Sequence, residues 1–417
     1  MSTASTPNKT PLTTAELSTM PENHLDTVAT PGSIDPSRQA TLRTRLIAVI
    51  AMPLFFLITF TLCFVSATHA PTPHDLALTV AGPSAVTEQL AAAIEDQAEG
   101  AFDITQTTDA TAAHDAVATR DAVGAIIVDG TNVTTIVASG GGRLAASTVQ
   151  TVGDRIAAQL GGTNTITDVA PLPADDPTGT VLFFLLVICT VGAFLSITVI
   201  SQIIPGAGAR ELTVTAIGAA ILVPIIGFTV ISFFVDYGAT FGTIAALLGV
   251  GMIYAFTVGM IATLFTLLLG QAAVFAEILI LVAFSFTSAG NSAPESMLPP
   301  FWQGIHNGWL GSGAFESMRS ILFFGGNGLG RWLLLLLIWT AAAVLLTAIV
   351  GIRTKRIAQK AARRESEAAQ PAEVVPATAS AVTAPAVTAS AVTASAATAT
   401  AAAAPAATEP AAAGGVR

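Results

Sequence analysis

Six stretches of this chain run for eighteen residues or more with almost no charge: residues 46–67, 181–204, 212–235, 241–269, 272–289 and 332–350. At about 1.5 Å per residue, helices of that length match a bilayer core about 30 Å thick. Charged residues make up 11% of the chain, where a soluble domain carries roughly a quarter. The pattern predicts an α-helical membrane protein with six transmembrane helices and an extracytoplasmic α/β domain between helices 1 and 2.

Residues 69–178 supply that domain. Fourteen Asp and Glu face three Arg across residues 69–180, a net charge of −11 in a chain whose total is −10. Acidic surface of this kind solubilises and excludes nucleic acid as a partner, which would need a basic face. Short β-rich runs alternate with helical periodicity in the order β-α-β-α-β-β-α-β. Val86, Leu90 and Ile94 form one helical stripe; Val149, Val152, Ile156 and Leu160 form another. Asp129-Gly130 reads as a hairpin turn and residues 140–142, all glycine, as a chain break.

The chain divides into a disordered cytoplasmic tail at 1–42, transmembrane helix 1 at 45–68, the domain at 69–178, helices 2–6 within 180–352, and a tail at 353–417. The last is basic, then Ala/Thr/Pro-rich and disordered. A cleaved signal peptide is the rival reading of the first apolar run; its polar lead and its length favour an uncleaved span. Arg43 and Arg45 before the first span, and Arg353, Lys355, Arg356, Lys360, Arg363 and Arg364 after the last, place both termini in the cytoplasm of a plasma-membrane protein. Tyr237, Trp302, Trp309 and Trp332 then fall at the outer interface as an aromatic belt, with Arg331 as an exception to the charge rule.

Nothing in the residues builds an enzyme. Cys63 and Cys189 lie inside apolar runs and read as small buried hydrophobes. None of the three lysines sits in a phosphate-binding loop, so the chain holds no ATP site of its own, and no cofactor or metal is expected. His69 and His74 lack partners for a metal. Glu277 is the acidic residue well inside a span, which suits either a substrate path or a packing contact. Gly206, Gly208, Arg210 and Glu211 form a short polar element between spans two and three, read as a loop or as a coupling element for a cytoplasmic partner. Residues 290–330 hold a re-entrant or interfacial segment that includes Pro299, Pro300 and Phe301, with Glu316 and Arg319 spaced to pair on a helix. Gly249, Gly251 and Gly259 invite close helix approach.

This layout, with residues 69–76, 121–128, 298–302 and 318–326, resembles the membrane subunits of ABC-2 type exporters, in particular the phage-infection-protein-like permeases of bacteria. The resemblance spans residues 45–352. It implies a homodimer or paired permease that works with a separate cytoplasmic ABC ATPase, which binds the ATP. It places the coupling element at residues 206–211. The nearly uncharged wall, in contact with membrane lipid, suits amphiphilic or lipid-like cargo. The alternative is a non-transporting membrane scaffold or surface receptor, for example part of a secretion apparatus.

Overall fold

The computed structural model describes residues 36–368 apart from 205 and 292. Most of the two expected tails, residues 1–35 and 369–417, lies outside the described residues. Two differences appear at their inner edges. Residues 36–42 are the first turns of helix α1 (Pro36–Thr68), and the basic segment after residue 353 continues helix α12 (Leu329–Ala368). Neither segment contains a residue that breaks a helix after its first turn, so the helices run on beyond the apolar stretch. Within α1, Ile50–Thr68 is apolar and long enough to cross a membrane.

Between α1 and the later helices lies a five-stranded sheet, order β2-β1-β3-β4-β5. Its strands are β1 (Leu76–Ala81), β2 (Phe102–Thr107), β3 (Gly124–Asp129), β4 (Asn132–Val137) and β5 (Asn164–Asp168). β1 pairs in parallel with β2 and β3, β3 and β4 form the antiparallel hairpin about Asp129-Gly130, and β5 runs parallel to β4. Strand alternation separates two faces. Leu76, Leu78, Val80, Ile126 and Val128 meet α2 (Ser84–Gln97) and α4 (Arg143–Leu160). Ala81, Ala125 and Ile136 meet α3 (Ala110–Ala118). Asp109 caps α3 by accepting the Thr111 N–H at 2.8 Å, and Gly161, at φ +69°, ends α4 in the left-handed region.

Among the described residues, five helices are long and apolar enough to cross a membrane: Ile50–Thr68, α5 (Val181–Ile203), α6 (Ala209–Ile231), α7 (Phe241–Leu269) and α12. They make this a membrane-embedded protein. Asp176 starts the bundle: its buried carboxylate accepts the N–H groups of Thr180 (3.0 Å) and Val181 (2.9 Å) at the head of α5, where a negative charge also suits the helix dipole. α5, α6 and α7 pack around fully buried Tyr254, whose hydroxyl meets that of Thr190 at 2.7 Å. Gly259 lets α7 touch Ala216 of α6, and Gly251 lets it touch Pro224; an added Cβ would sit 2.9 and 3.2 Å from those side chains. Gly249 faces open space.

The segment expected as the fifth of six spans, residues 272–289, contains a 17-residue apolar helix, Ala273–Ala289. It opens as α8 (Ala273–Glu277), widens to a π-helix over Ile278–Phe284 and closes as α9 (Ser285–Ala289). The segment before the last span forms two short helices, α10 (Pro300–Gly308) and α11 (Leu310–Phe323). At about 1.5 Å per residue neither reaches across a bilayer. All these elements belong to one compact unit that ends at Ala362; in the second unit, Arg363–Arg417, the described residues are the last turns of α12.

Candidate functional site

α11 is buried on every side from Leu310 to Ile321, packed among α5, α7 and α9. Gly311 and Gly313 permit this. A Cβ on the first would lie 2.6 Å from the Ser285 carbonyl, and on the second 3.2 Å from that of Trp332. A helix so enclosed should be apolar, yet it carries Glu316 and Arg319, both 3% exposed. Burying a charge is costly unless it is paired and hydrogen-bonded, and here the pairing is extensive.

Arg319 donates to Glu316 from one turn on, as the spacing predicts. Its second terminal nitrogen donates to the Asn291 carbonyl at 2.6 Å. Its guanidinium lies 4.5 Å from the centre of the Phe315 ring. The other Glu316 oxygen accepts from Arg120 at 2.5 Å, a residue of the sheet domain 196 positions away. Arg120 also donates to the Ser320 hydroxyl at 2.5 Å and lies 4.9 Å over the Phe324 ring. It stands in the turn after α3 at φ +72°, a conformation that costs a non-glycine residue about 1–3 kcal/mol and aims the side chain at α11. Two guanidinium groups thus close on one carboxylate, and the joint ties the sheet domain to the buried helix.

Apolar contacts surround this joint. Phe323 and Phe324, at the end of α11, pack into the α3 face of the sheet. They seat on Gly140 and Gly141, where an added Cβ would come within 2.6 Å of Phe323 and 3.1 Å of Phe324. The glycine run is therefore a landing place for α11 as well as a break in the chain. A second attachment comes from the loop before α10. Met297 enters the other core of the sheet domain, and the His74 N–H donates to the Ser296 carbonyl at 2.7 Å.

The tryptophans expected in an interfacial belt make contacts around α10 and α11. Trp302 is buried and donates to Ser66 of α1 at 3.0 Å, and Trp309 donates to Ser285 at 3.2 Å. Trp332 packs edge-on to His306, with ring centres 5.1 Å apart. An indole removed from water needs an acceptor, and Ser66 of α1 and Ser285 of α9 supply it for Trp302 and Trp309. Arg331 bonds Asn307, which bonds Glu295, so the basic residue that departed from the charge rule has a local partner. Pro299 and Pro300 start α10 and expose Phe301.

Glu277 ends α8 and is 1% exposed. One of its oxygens lies 3.0 Å from the Thr198 hydroxyl of α5, and the other has no partner. Thr198 is also 3.0 Å from the Phe194 carbonyl, and a hydroxyl has one hydrogen for these two acceptors. The carboxyl is under-satisfied just where the helix widens to a π-turn, a distortion frequent at functional sites.

Arg210 and Glu211 are exposed. The Glu211 carboxylate accepts the Gly208 N–H at 3.0 Å, which closes the first turn of α6. Gly206 adopts φ +85°. The sequence singled out Glu316 with Arg319, and the structure joins them. It sets Glu277 and the 206–211 element apart from that joint. Arg120 carried no sequence signal, because its partners are remote in the chain. No family model, curated protein or solved structure matches this chain, so its own residues carry the functional reading.

Proposed function

We propose that the chain is the membrane-spanning permease subunit of an ABC-2 type, ATP-driven exporter of amphiphilic or lipid-like cargo. It pairs with a second permease copy and with a separate cytoplasmic ATPase. The observation that supports this most directly is the joint of Arg120, Glu316 and Arg319. A helix too short to span, enclosed by the bundle, is fastened to the sheet domain by buried charge. Movement in the bundle then reaches the domain without slack, as a transport cycle needs.

In this reading Ala273–Ala289 also crosses, as the fifth of six spans, the sheet domain is extracytoplasmic, and both termini are in the cytoplasm of a plasma-membrane protein. The exposed 206–211 element then faces the cytoplasm as the coupling surface, and Glu277 borders the cargo path. Exposed apolar faces on α6 (Ile221, Leu222, Ile226) and α12 (Leu334, Ile338, Leu345) meet lipid or the second copy. The test is crosslinked purification of the tagged chain from its membranes, with mass spectrometry of its companions. A stoichiometric P-loop ATPase, lost in the Arg210→Ala, Glu211→Ala double variant, is expected. Recovery of surface or secretion proteins without an ATPase would replace the exporter by a scaffold.

A further inference from the structure

On the sheet face that carries α2 and α4, the two helices leave a groove of about 500 Å³ between them. Small-molecule sites typically measure about 300–1,000 Å³, with mostly apolar walls and a few placed polar groups. This groove has that character. Leu90 and Ile94 of α2 line it together with Val152 and Ile156 of α4 and with Phe102 of β2. Arg155 and Gln159 stand at its edge, both exposed.

Arg155 is the informative residue. The domain has three cations among fourteen carboxylates. Arg120 is held by Glu316. Among the described residues neither Arg143 nor Arg155 has an ion-pair or hydrogen-bond partner, and of the two only Arg155 lines the groove. A domain of net charge −11 repels free anions. A lone guanidinium here can hold an anion only if a second force retains it, and the apolar floor beside it supplies that force. Each methylene buried there strengthens binding about fourfold.

We propose that the groove between α2 and α4 binds a long-chain fatty acid, with its acyl chain along Leu90, Ile94 and Val152 and its carboxylate on Arg155. A guanidinium grips a carboxylate with two parallel hydrogen bonds. One such group balances a single negative charge, whereas a phosphate monoester carries up to two and would need a second cation that the groove lacks. The binding site stands by itself; its use in receiving cargo rests on the exporter reading.

The experiment is photolabelling of the full chain in lipid nanodiscs. The probes are a diazirine fatty acid and the alcohol of the same chain length, and labelled peptides are mapped by mass spectrometry. The acid should label α2 and α4, and the alcohol should label them about tenfold less, the factor expected from losing one charge-assisted bond. Arg155→Gln should reduce acid labelling to the alcohol level. Ala93→Trp, which fills the groove from an exposed position, should abolish both. Unchanged thermal melting would show that both variants fold. Labelling confined to the apolar helices, equal labelling by acid and alcohol, or labelling that survives Ala93→Trp would overturn the proposal. Each of these would leave the exporter reading standing, and the absence of an ATPase would leave groove labelling unaffected.

Discussion

Replacing Glu316 by Gln leaves two guanidinium groups, Arg120 and Arg319, closing on a neutral amide inside the protein. Removing one partner of a buried pair costs about 3–5 kcal/mol, because the remaining charge stays unpaired. Glu316→Gln should therefore lower the melting temperature of the purified protein sharply. Arg120→Met is a milder change. It keeps the Glu316–Arg319 pair and loses two charge-assisted contacts, to Glu316 and to Ser320, the ionic one worth about 1.5–3 kcal/mol. Its effect should be local: hydrogen exchange should speed up in the turn after α3 and remain unchanged within α7. Equal exchange in the variant and the parent would mean that the joint does not fasten the domain. Glu277→Gln probes a different property. Gln keeps an acceptor toward Thr198 and supplies donors of its own, so folded yield should hold. If Glu277 borders the cargo path, efflux of a fluorescent lysolipid should change several-fold. Unchanged efflux would assign Glu277 to packing.

Helix contacts in the bundle depend on where glycine stands. Gly259→Ala forces a methyl to within 2.9 Å of Ala216, an overpacking worth about 1–3 kcal/mol. Gly249→Ala meets nothing within 4 Å and should gain up to about 1 kcal/mol through better helix propensity. The two variants should move thermal melting in opposite directions; a fall in both would mean that α7 is constrained by a partner beyond this chain. Both glycines lie in one apolar run, and the sequence cannot tell them apart, because their difference is what faces them. Elements with strong internal periodicity were legible. The strands, the Asp129-Gly130 hairpin and the stripes of α2 and α4 follow from residues a few positions apart. Glu316 and Arg319 were legible for the same reason. Arg120 was not, since its carboxylate comes from 196 residues further on. The π-turn at Ile278–Phe284 was also hidden, because an apolar run has no polar face to mark a change of pitch. The capping by Asp176 left a trace in the sequence, an acidic residue just before an apolar run, but its buried position came only with the fold.

The number of crossings fixes how the whole molecule is oriented, and one helix decides it. Ala273–Ala289 has 17 residues, about 25 Å at helical rise. That is short of an average hydrocarbon core and within reach of a locally thinned bilayer. Its placement can be read from exposed residues on either side. If it crosses, Asp236 and Gln359 lie on opposite faces of the membrane, because α7, Ala273–Ala289 and α12 make three crossings between them. If it does not, two crossings return Gln359 to the face of Asp236. Cysteine placed singly at Glu88, Arg210, Asp236 or Gln359, all exposed, can be probed with a membrane-impermeant thiol reagent. Cys63 and Cys189 are buried and free, which keeps the background low. The six-span reading expects Glu88→Cys and Asp236→Cys to react in intact cells, and Arg210→Cys and Gln359→Cys to react only after permeabilisation. Reaction of Gln359→Cys together with Asp236→Cys would reduce the span count to five. It would also separate the basic end of α12 from the 206–211 element. A cytoplasmic ATPase then could not meet both, and the coupling surface would have to be sought elsewhere.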